Sequence, residues 1–297
     1  MTNLHLKNKP VVAIPPSYNQ NGSLELDSTA KYLNYLKSRN ATCVMSTAGT
    51  SQFNLMDQNE IHDFNNCLAE SFEGSKILGI PAVGTMSACK FAKDAKSYNG
   101  EDVKLMALYP DRFYNYDTVI KYIESICNAA GESIYVHANN MRSGTSGLWN
   151  YQADIINKMY ELGLVIGIKE EHSDLQASYN FVRNLNKDLD IIVAGGSMRR
   201  FAFLESAGAN SFLSGVGNLV PELENAFING NKRIDALHIE AKMFDVFMNH
   251  GWHKSLRQAL KVMDLTCLHN RDPWPNSDED FVVDITNIVS FLMEINV

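Results

Sequence analysis

The sequence predicts a (β/α)8 barrel, the TIM-barrel class of α/β folds, with a C-terminal helical extension. Three observations predict it: short apolar, β-branched runs alternate with longer amphipathic segments, there are eight of each in order, and after Asn229 only helical patterns remain. The expected strands are Val11–Pro15, Thr42–Ser46, Lys76–Val83, Lys104–Tyr109, Ser133–Ala138, Val165–Lys169, Ile191–Gly195 and Ser211–Ser214. The expected helices are Asp27–Arg39, Asp57–Phe72, Ser87–Tyr98, Asp117–Ala129, Asn150–Leu162, Leu175–Leu185, Met198–Ala207 and Val220–Asn229. Asp27, Asp57, Asp117 and Asp174 each stand where a carboxylate can cap the exposed N–H groups of a helix start. Residues 1–229 are assigned to the barrel and 230–297 to the extension, whose helical patterns are Lys232–Asn249, Lys254–Leu265 and Asp278–Ile295. Gly251 separates the first two, and Arg271 to Pro275 breaks the pattern before the last. The extension reads as scaffold for packing or oligomer contacts. An open doubly wound sheet is the structural alternative, and the lack of a GxGxxG at the first helix counts against it.

Composition bounds the function. The chain of 297 residues is 45% hydrophobic and 20% charged with a net charge of -8, so it can bury a large core and offers no basic surface for nucleic acid. The 5 cysteines, at positions 43, 67, 89, 127 and 267, form no CxxC or Cys/His metal pattern and read as reduced thiols. No apolar stretch reaches the length of a membrane span, and the N-terminus lacks the pattern of a secretion signal. A cytoplasmic protein acting on small molecules is expected, with no metal, no cofactor and no membrane partner.

The chemistry converges on Lys169, which ends the apolar run Val165-Ile-Gly-Ile-Lys169. Desolvation at the mouth of such a strand disfavours an ammonium, and a lysine held there as a free amine can attack a carbonyl to form a Schiff base. The plainer alternative is a strand-capping lysine paired with Glu170 or Glu171. In a barrel the carboxyl ends of all strands share one mouth, so the other strand ends decide between these readings. The second offers Ser46-Thr-Ala-Gly-Thr-Ser51, small residues able to present N–H groups and hydroxyls to a carboxylate, although an ordinary turn would look the same. In the fifth, period two places Tyr135 and His137 on one face with His137 nearer the mouth, a proton shuttle if it faces the lysine. Arg142, just beyond, can clamp a carboxylate or can be a plain surface residue. In the sixth strand Gly167 lies beneath Lys169 and is expected to leave room for its stem. Glycine loops at Ala194-Gly-Gly-Ser197 and Ser214-Gly-Val-Gly-Asn218 admit a ligand close to the backbone, at Gly195 and Gly215, and could instead hold a phosphate.

Together these pieces resemble the dihydrodipicolinate synthase and N-acetylneuraminate lyase family of class I aldolases over nearly the whole chain, from Val11-Val-Ala-Ile-Pro-Pro16 to Arg271-Asp-Pro273. Gly167-Ile-Lys-Glu170 followed by Ser173-Asp174 is similar to the family's Schiff-base motif, and Ser46-Thr-Ala-Gly-Thr-Ser51 to its Gly-Thr-Thr-Gly-Glu-Ser. Arg142-Ser-Gly144 is similar to its Arg-Thr-Gly. The resemblance implies a barrel, usually a homotetramer, that joins or cleaves pyruvate and an aldehyde without metal or organic cofactor. It assigns Lys169 as nucleophile, and Thr47 with the backbone of Ala48 and Gly49 as the carboxylate site of a 2-oxo acid. The departures are specific: the family's fifth-strand tyrosine aligns with His137, Ala48 replaces the second threonine, and the loop from Tyr109 to Tyr116 does not align cleanly.

The expected function is therefore a Schiff-base lyase or aldolase acting on a 2-oxo acid and an aldehyde, with His137 as acid and base, and not a dihydrodipicolinate synthase. A dehydratase using the same iminium is a variant of this reading. The alternatives are a non-catalytic 2-oxo-acid-binding family member and a phosphosugar enzyme built on the late glycine loops. A homo-oligomer, dimer or tetramer, is expected from the resemblance.

Overall fold

Eight short parallel strands pair in sequence order and close into a barrel, the last hydrogen-bonding to the first. In this computed structural model, which describes residues 6–108, 115–138, 152–266, 269–273 and 279–295, they are β1 (Pro10–Ala13), β2 (Cys43–Met45), β3 (Ser75–Ile80), β4 (Val103–Leu108), β5 (Ile134–Ala138), β6 (Val165–Glu170), β7 (Asp190–Val193) and β8 (Ser211–Leu213). Each is followed by a helix: α1 (Leu26–Ser38), α2 (Gln58–Ser71), α3 (Thr85–Asp94), α4 (Tyr116–Ala130), α5 (Ala153–Glu161), α6 (Leu175–Arg183), α7 (Ser197–Leu204) and α8 (Pro221–Ile228). The barrel expected from the alternation is the one observed.

The alternation of side chains along each strand divides the core in two. Val12, Val44, Leu78, Ala107, Val136 and Ile168 face outward and pack with the helices in one large apolar layer. Val11, Cys43, Met45, Ile77, Met106, Tyr135 and Ile192 face inward and fill the barrel together with Leu6. Leu6 belongs to no strand. Its N–H donates to both carboxylate oxygens of Asp190, at 3.2 and 3.3 Å.

Two of the four expected caps are correct. Asp57 closes a reciprocal capping box with Glu60 at the start of α2, and Asp174 accepts from Ala177 N–H at the start of α6. Asp27 and Asp117 lie instead within the first turns of α1 and α4, where a carboxylate favours the helix dipole without capping. Asn115 caps α4, with Thr118 returning the bond.

Beyond the barrel come α9 (Arg233–His250), α10 (Trp252–Val262) and α11 (Glu279–Met293), with Gly251 at φ 90° turning the chain between α9 and α10. The extension is fastened to the segments after β1 and β2 and to the start of α2. Arg257 of α10 donates to Pro16 O and Gln52 Oε1, both at 3.1 Å. Arg271 binds Glu60 at 2.6 and 2.8 Å and Gly22 O at 2.5 and 2.9 Å. Buried Tyr18 lies under both guanidinium groups, 5.2 and 4.3 Å from its ring centre. The described cysteines, Cys43, Cys67, Cys89 and Cys127, are free thiols, and Cys267 lies outside the described residues. Among the described residues no helix is long and apolar enough to cross a membrane.

Candidate active site

Strand register brings the two chemically distinctive strand ends together. β5 and β6 pair with His137 opposite Lys169 and Tyr135 opposite Gly167, so all four share the inward face. At the carboxyl end Lys169 Nζ lies 3.0 Å from His137 Nε2, and both side chains are only 3% exposed.

One layer deeper the same face is closed. The Tyr135 ring occupies the space over Gly167, where an added Cβ would stand 2.4 Å from Tyr135 Cε1 and 2.7 Å from Asp190 O. Gly167 therefore makes room for Tyr135, not for the stem of Lys169. Tyr135 donates its hydroxyl proton to Asp190 Oδ2 at 2.7 Å and is fully buried. Burial, reinforced by the Asp190 charge, holds this phenol well above its ordinary range.

Glu171 completes the upper layer. Its Oε2 accepts from Lys169 Nζ at 2.6 Å and lies 2.9 Å from His137 Nε2, so three polar atoms form a closed triangle. Burial would raise this carboxyl, yet the Lys169 ammonium and the His137 hydrogen bond hold it well below the ordinary carboxylate range. Its neighbour Glu170 points the other way: its buried carboxylate pairs with Arg200 Nη2 at 3.1 Å and accepts from His172 N–H at 2.7 Å. The pairing of Lys169 with Glu171 was visible in the sequence as a bland strand-end contact. Its significance lies in the inclusion of His137, and period two from Lys169 is the signal that places Glu171 on the same side.

The loop after β2 is pinned at both ends. Ser46 Oγ accepts from Gly79 N–H at 2.7 Å and donates to Asn65 Oδ1 at 2.6 Å, while Ser51 Oγ donates to Ile14 O at 2.6 Å and accepts from Thr47 N–H at 3.0 Å. Thr47 is 2% exposed, and its hydroxyl has no hydrogen-bond partner. A buried hydroxyl without a partner costs about 1–3 kcal/mol and marks a place where an acceptor is wanted. Ala48 and Gly49 follow directly.

The two late glycine loops differ. Gly195, at φ 77°, borders the triangle: a Cβ there would lie 3.8 Å from Glu171 Cγ. Gly215 is turned away from a ligand role, because its N–H donates to Glu224 Oε1 at 2.8 Å and the space a Cβ would take there is filled by Ser197 and Phe244. Glu224 also accepts from Ser197 Oγ at 3.1 Å and from Ser214 Oγ. At the start of α7 the N–H groups of Met198 and Arg199 donate to Glu240 at 3.0 and 3.1 Å. Internal carboxylates thus take the positions that a barrel phosphate would use.

His253, from α10, joins the site without a signal in the sequence. Its Nε2 and Cε1 lie 3.9 and 3.8 Å from where a Gly49 Cβ would stand, so the extension places an imidazole over the Thr47–Gly49 turn. Burial lowers its basicity, and the charges of Glu171 and Lys169 act on it in opposite senses. Nothing in a helical pattern so far along the chain signals that contact. Arg142 lies outside the described residues, as does most of the loop from Tyr109 to Tyr116.

Comparison with known proteins agrees with this architecture. The model of the dihydrodipicolinate synthetase family matches residues 8–291. A protein of Acinetobacter baumannii named "Probable 5-dehydro-4-deoxyglucarate dehydratase" is 22% identical over 221 residues, covering 73% of this chain and 70% of its own. The sialic acid aldolase of Ruminococcus gnavus superposes with a TM-score of 0.82 at 16% identity, covering 97% of each chain. YagE, a prophage protein of the dihydrodipicolinic acid synthase family from E. coli K12 solved in complex with pyruvate, also superposes at 0.82, at 12% identity over 96% of this chain and 98% of its own. A family match spanning the whole barrel and reaching into the last helix is decisive: the chain belongs to the dihydrodipicolinate synthetase family, whose members are class I aldolases and lyases.

Proposed function

We propose that the protein is a Schiff-base lyase acting on pyruvate or a longer 2-oxo acid, with Lys169 as its nucleophile. The observation that carries this reading is the burial of the Lys169 amine at the barrel mouth, within 3.0 Å of His137 Nε2. A primary amine there attacks the ketone, and the resulting iminium draws electrons from the adjacent carbon when a C–C or C–O bond is made or broken. Thr47 Oγ1, with the N–H groups of Ala48 and Gly49, holds the substrate carboxylate, and Gly195 lets the chain of the substrate pass close to the backbone. His137 serves as acid and base beside the reacting centre in place of a tyrosine. Arg142, from the segment following β5, is assigned to a polar or acidic second substrate.

The second substrate is an aldehyde in the lyase form of this chemistry. A dehydratase runs through the same iminium, and the Acinetobacter relative bears the name of one, so loss of water from a sugar acid is the variant to screen beside aldol cleavage. The phosphosugar alternative loses ground, because Glu224 and Glu240 already take the N–H groups after β8 and at the start of α7. A non-catalytic binder is the remaining alternative, and one experiment separates it. Borohydride reduction in the presence of pyruvate should add a reduced pyruvate mass to the peptide holding Lys169 and to no peptide of Lys169→Ala. No adduct with pyruvate or with a panel of longer 2-oxo acids would leave only the binding reading.

A further inference from the structure

We propose that Glu171 is a catalytic residue, the carboxylate that carries protons between solvent and the Lys169 nitrogen with its attached carbon, sharing them with His137; this rests on the Schiff-base reading above. The geometry is the argument. Of the two atoms that face Lys169 Nζ in the triangle, Glu171 Oε2 is the closer, at 2.6 Å against 3.0 Å for His137 Nε2. Lys169 and His137 are sealed at 3% exposure each, whereas 34% of the Glu171 side chain reaches solvent. Proton exchange with water therefore has a direct route through Glu171.

The carboxylate is also held in place. Glu170 before it is locked into the Arg200 pair, and His172 after it is tied by its N–H to Glu170 and by its carbonyl to Arg200. Arg200 further donates to Ser178 Oγ at 2.9 Å. A base anchored on both flanks pays little reorganisation when the charge beside it changes.

The steps balance as follows. The Glu171 carboxylate takes a proton from the Lys169 ammonium, and the freed nitrogen pair attacks C2 of the 2-oxo acid. A C–N bond forms, the carbonyl pair moves to oxygen, and a proton passes from nitrogen to that oxygen. Glu171 returns its proton to the hydroxyl, the C–O bond breaks, water leaves, and the nitrogen pair closes the C=N bond of the iminium. The ionised carboxylate then takes a proton from C3, the C–H pair forms C2=C3, and the C=N pair returns to nitrogen as an enamine. The proton on Glu171 exchanges with water or passes to His137, 2.9 Å away. No oxidant, reductant or further co-reactant is needed.

The test uses pyruvate and the whole chain. Exchange of the C3 hydrogens of pyruvate in deuterated water, followed by proton NMR, reads enamine formation without knowledge of the second substrate, and borohydride trapping at long incubation reads Schiff-base capacity separately. Glu171→Gln, shown to be folded by circular dichroism, should still trap pyruvate on Lys169 yet lose about 10²-fold or more in exchange rate, the scale of a lost general acid–base. Glu171→Asp should recover part of that rate. Exchange by Glu171→Gln within about threefold of wild type, well short of a lost general base, would overturn the proposal and leave Glu171 a counter-ion. Failure of the wild type itself to trap pyruvate or any of the longer 2-oxo acids overturns the Schiff-base reading first, and the proposal with it.

Discussion

The inner faces of β5 and β6 carry two polar layers, two residues apart, and they do opposite things. In the upper layer His137, Lys169 and Glu171 meet at a mouth that solvent reaches through Glu171. In the lower layer Tyr135, Gly167 and Asp190 are sealed, and the Leu6 N–H supplies further donation to Asp190 from below. Residue type alone would favour the tyrosine as proton shuttle, since that is the family's residue. Depth reverses the choice, because a phenol donated to a buried carboxylate and pushed upward by burial is a structural group.

Single substitutions in each layer give the largest contrast. His137→Asn should lower pyruvate C3 exchange by about 10²-fold, as Glu171 loses the partner that shares its proton, with little change in denaturant midpoint. Tyr135→Phe should do the reverse, leaving exchange unchanged and costing about 1–3 kcal/mol as Asp190 loses a donor. Gly167→Ala should cost about 1–3 kcal/mol by driving a methyl into the Tyr135 ring. Equal loss of exchange in His137→Asn and Tyr135→Phe would erase the distinction between layers.

A smaller effect separates Glu171, beside Gly195, from Glu240, which binds the start of α7; their carboxyls are displaced in opposite directions. Glu171 is held below its ordinary 4.5 despite partial burial, by Lys169 and His137. Glu240 is raised to about 7 by burial and by the neighbouring Glu224 charge. A lowered carboxyl adds stability above its unfolded value and loses it as pH falls; a raised one adds stability below its unfolded value and loses it as pH rises through its folded value. Between pH 4.5 and 7, the stability of wild type relative to Glu240→Gln should therefore fall, by about 3 kcal/mol at most. Relative to Glu171→Gln, it should rise as pH climbs through the carboxylate range and then level off. Chemical denaturation across pH measures both, and two difference curves of the same slope would contradict the assignment.

Much of this was legible in the sequence, for reasons that also mark the limits. Eight apolar runs with eight amphipathic segments are a direct consequence of strands buried on both faces, so the barrel could be read. Facing of His137 and Lys169 follows from period two once the strands are adjacent and parallel. Asp27 and Asp117 were misplaced as caps because a helix boundary shifted by one or two residues changes their role. Gly167 was matched to the wrong neighbour, since nothing local shows that the Tyr135 ring leans across the pair. His253 and the capture of the α7 start by Glu240 are long-range contacts made by the extension, and no local pattern encodes them.

The central claim is that the upper layer is where a 2-oxo acid becomes covalently bound. A crystal structure of the protein reduced with borohydride in the presence of pyruvate tests it most directly. The account predicts a bond from Lys169 Nζ to C2 of the ligand, with the ligand carboxylate on Thr47 Oγ1 and the N–H groups of Ala48 and Gly49, and C3 within reach of Glu171 Oε2. An unmodified Lys169, or an adduct on any other lysine, would contradict it.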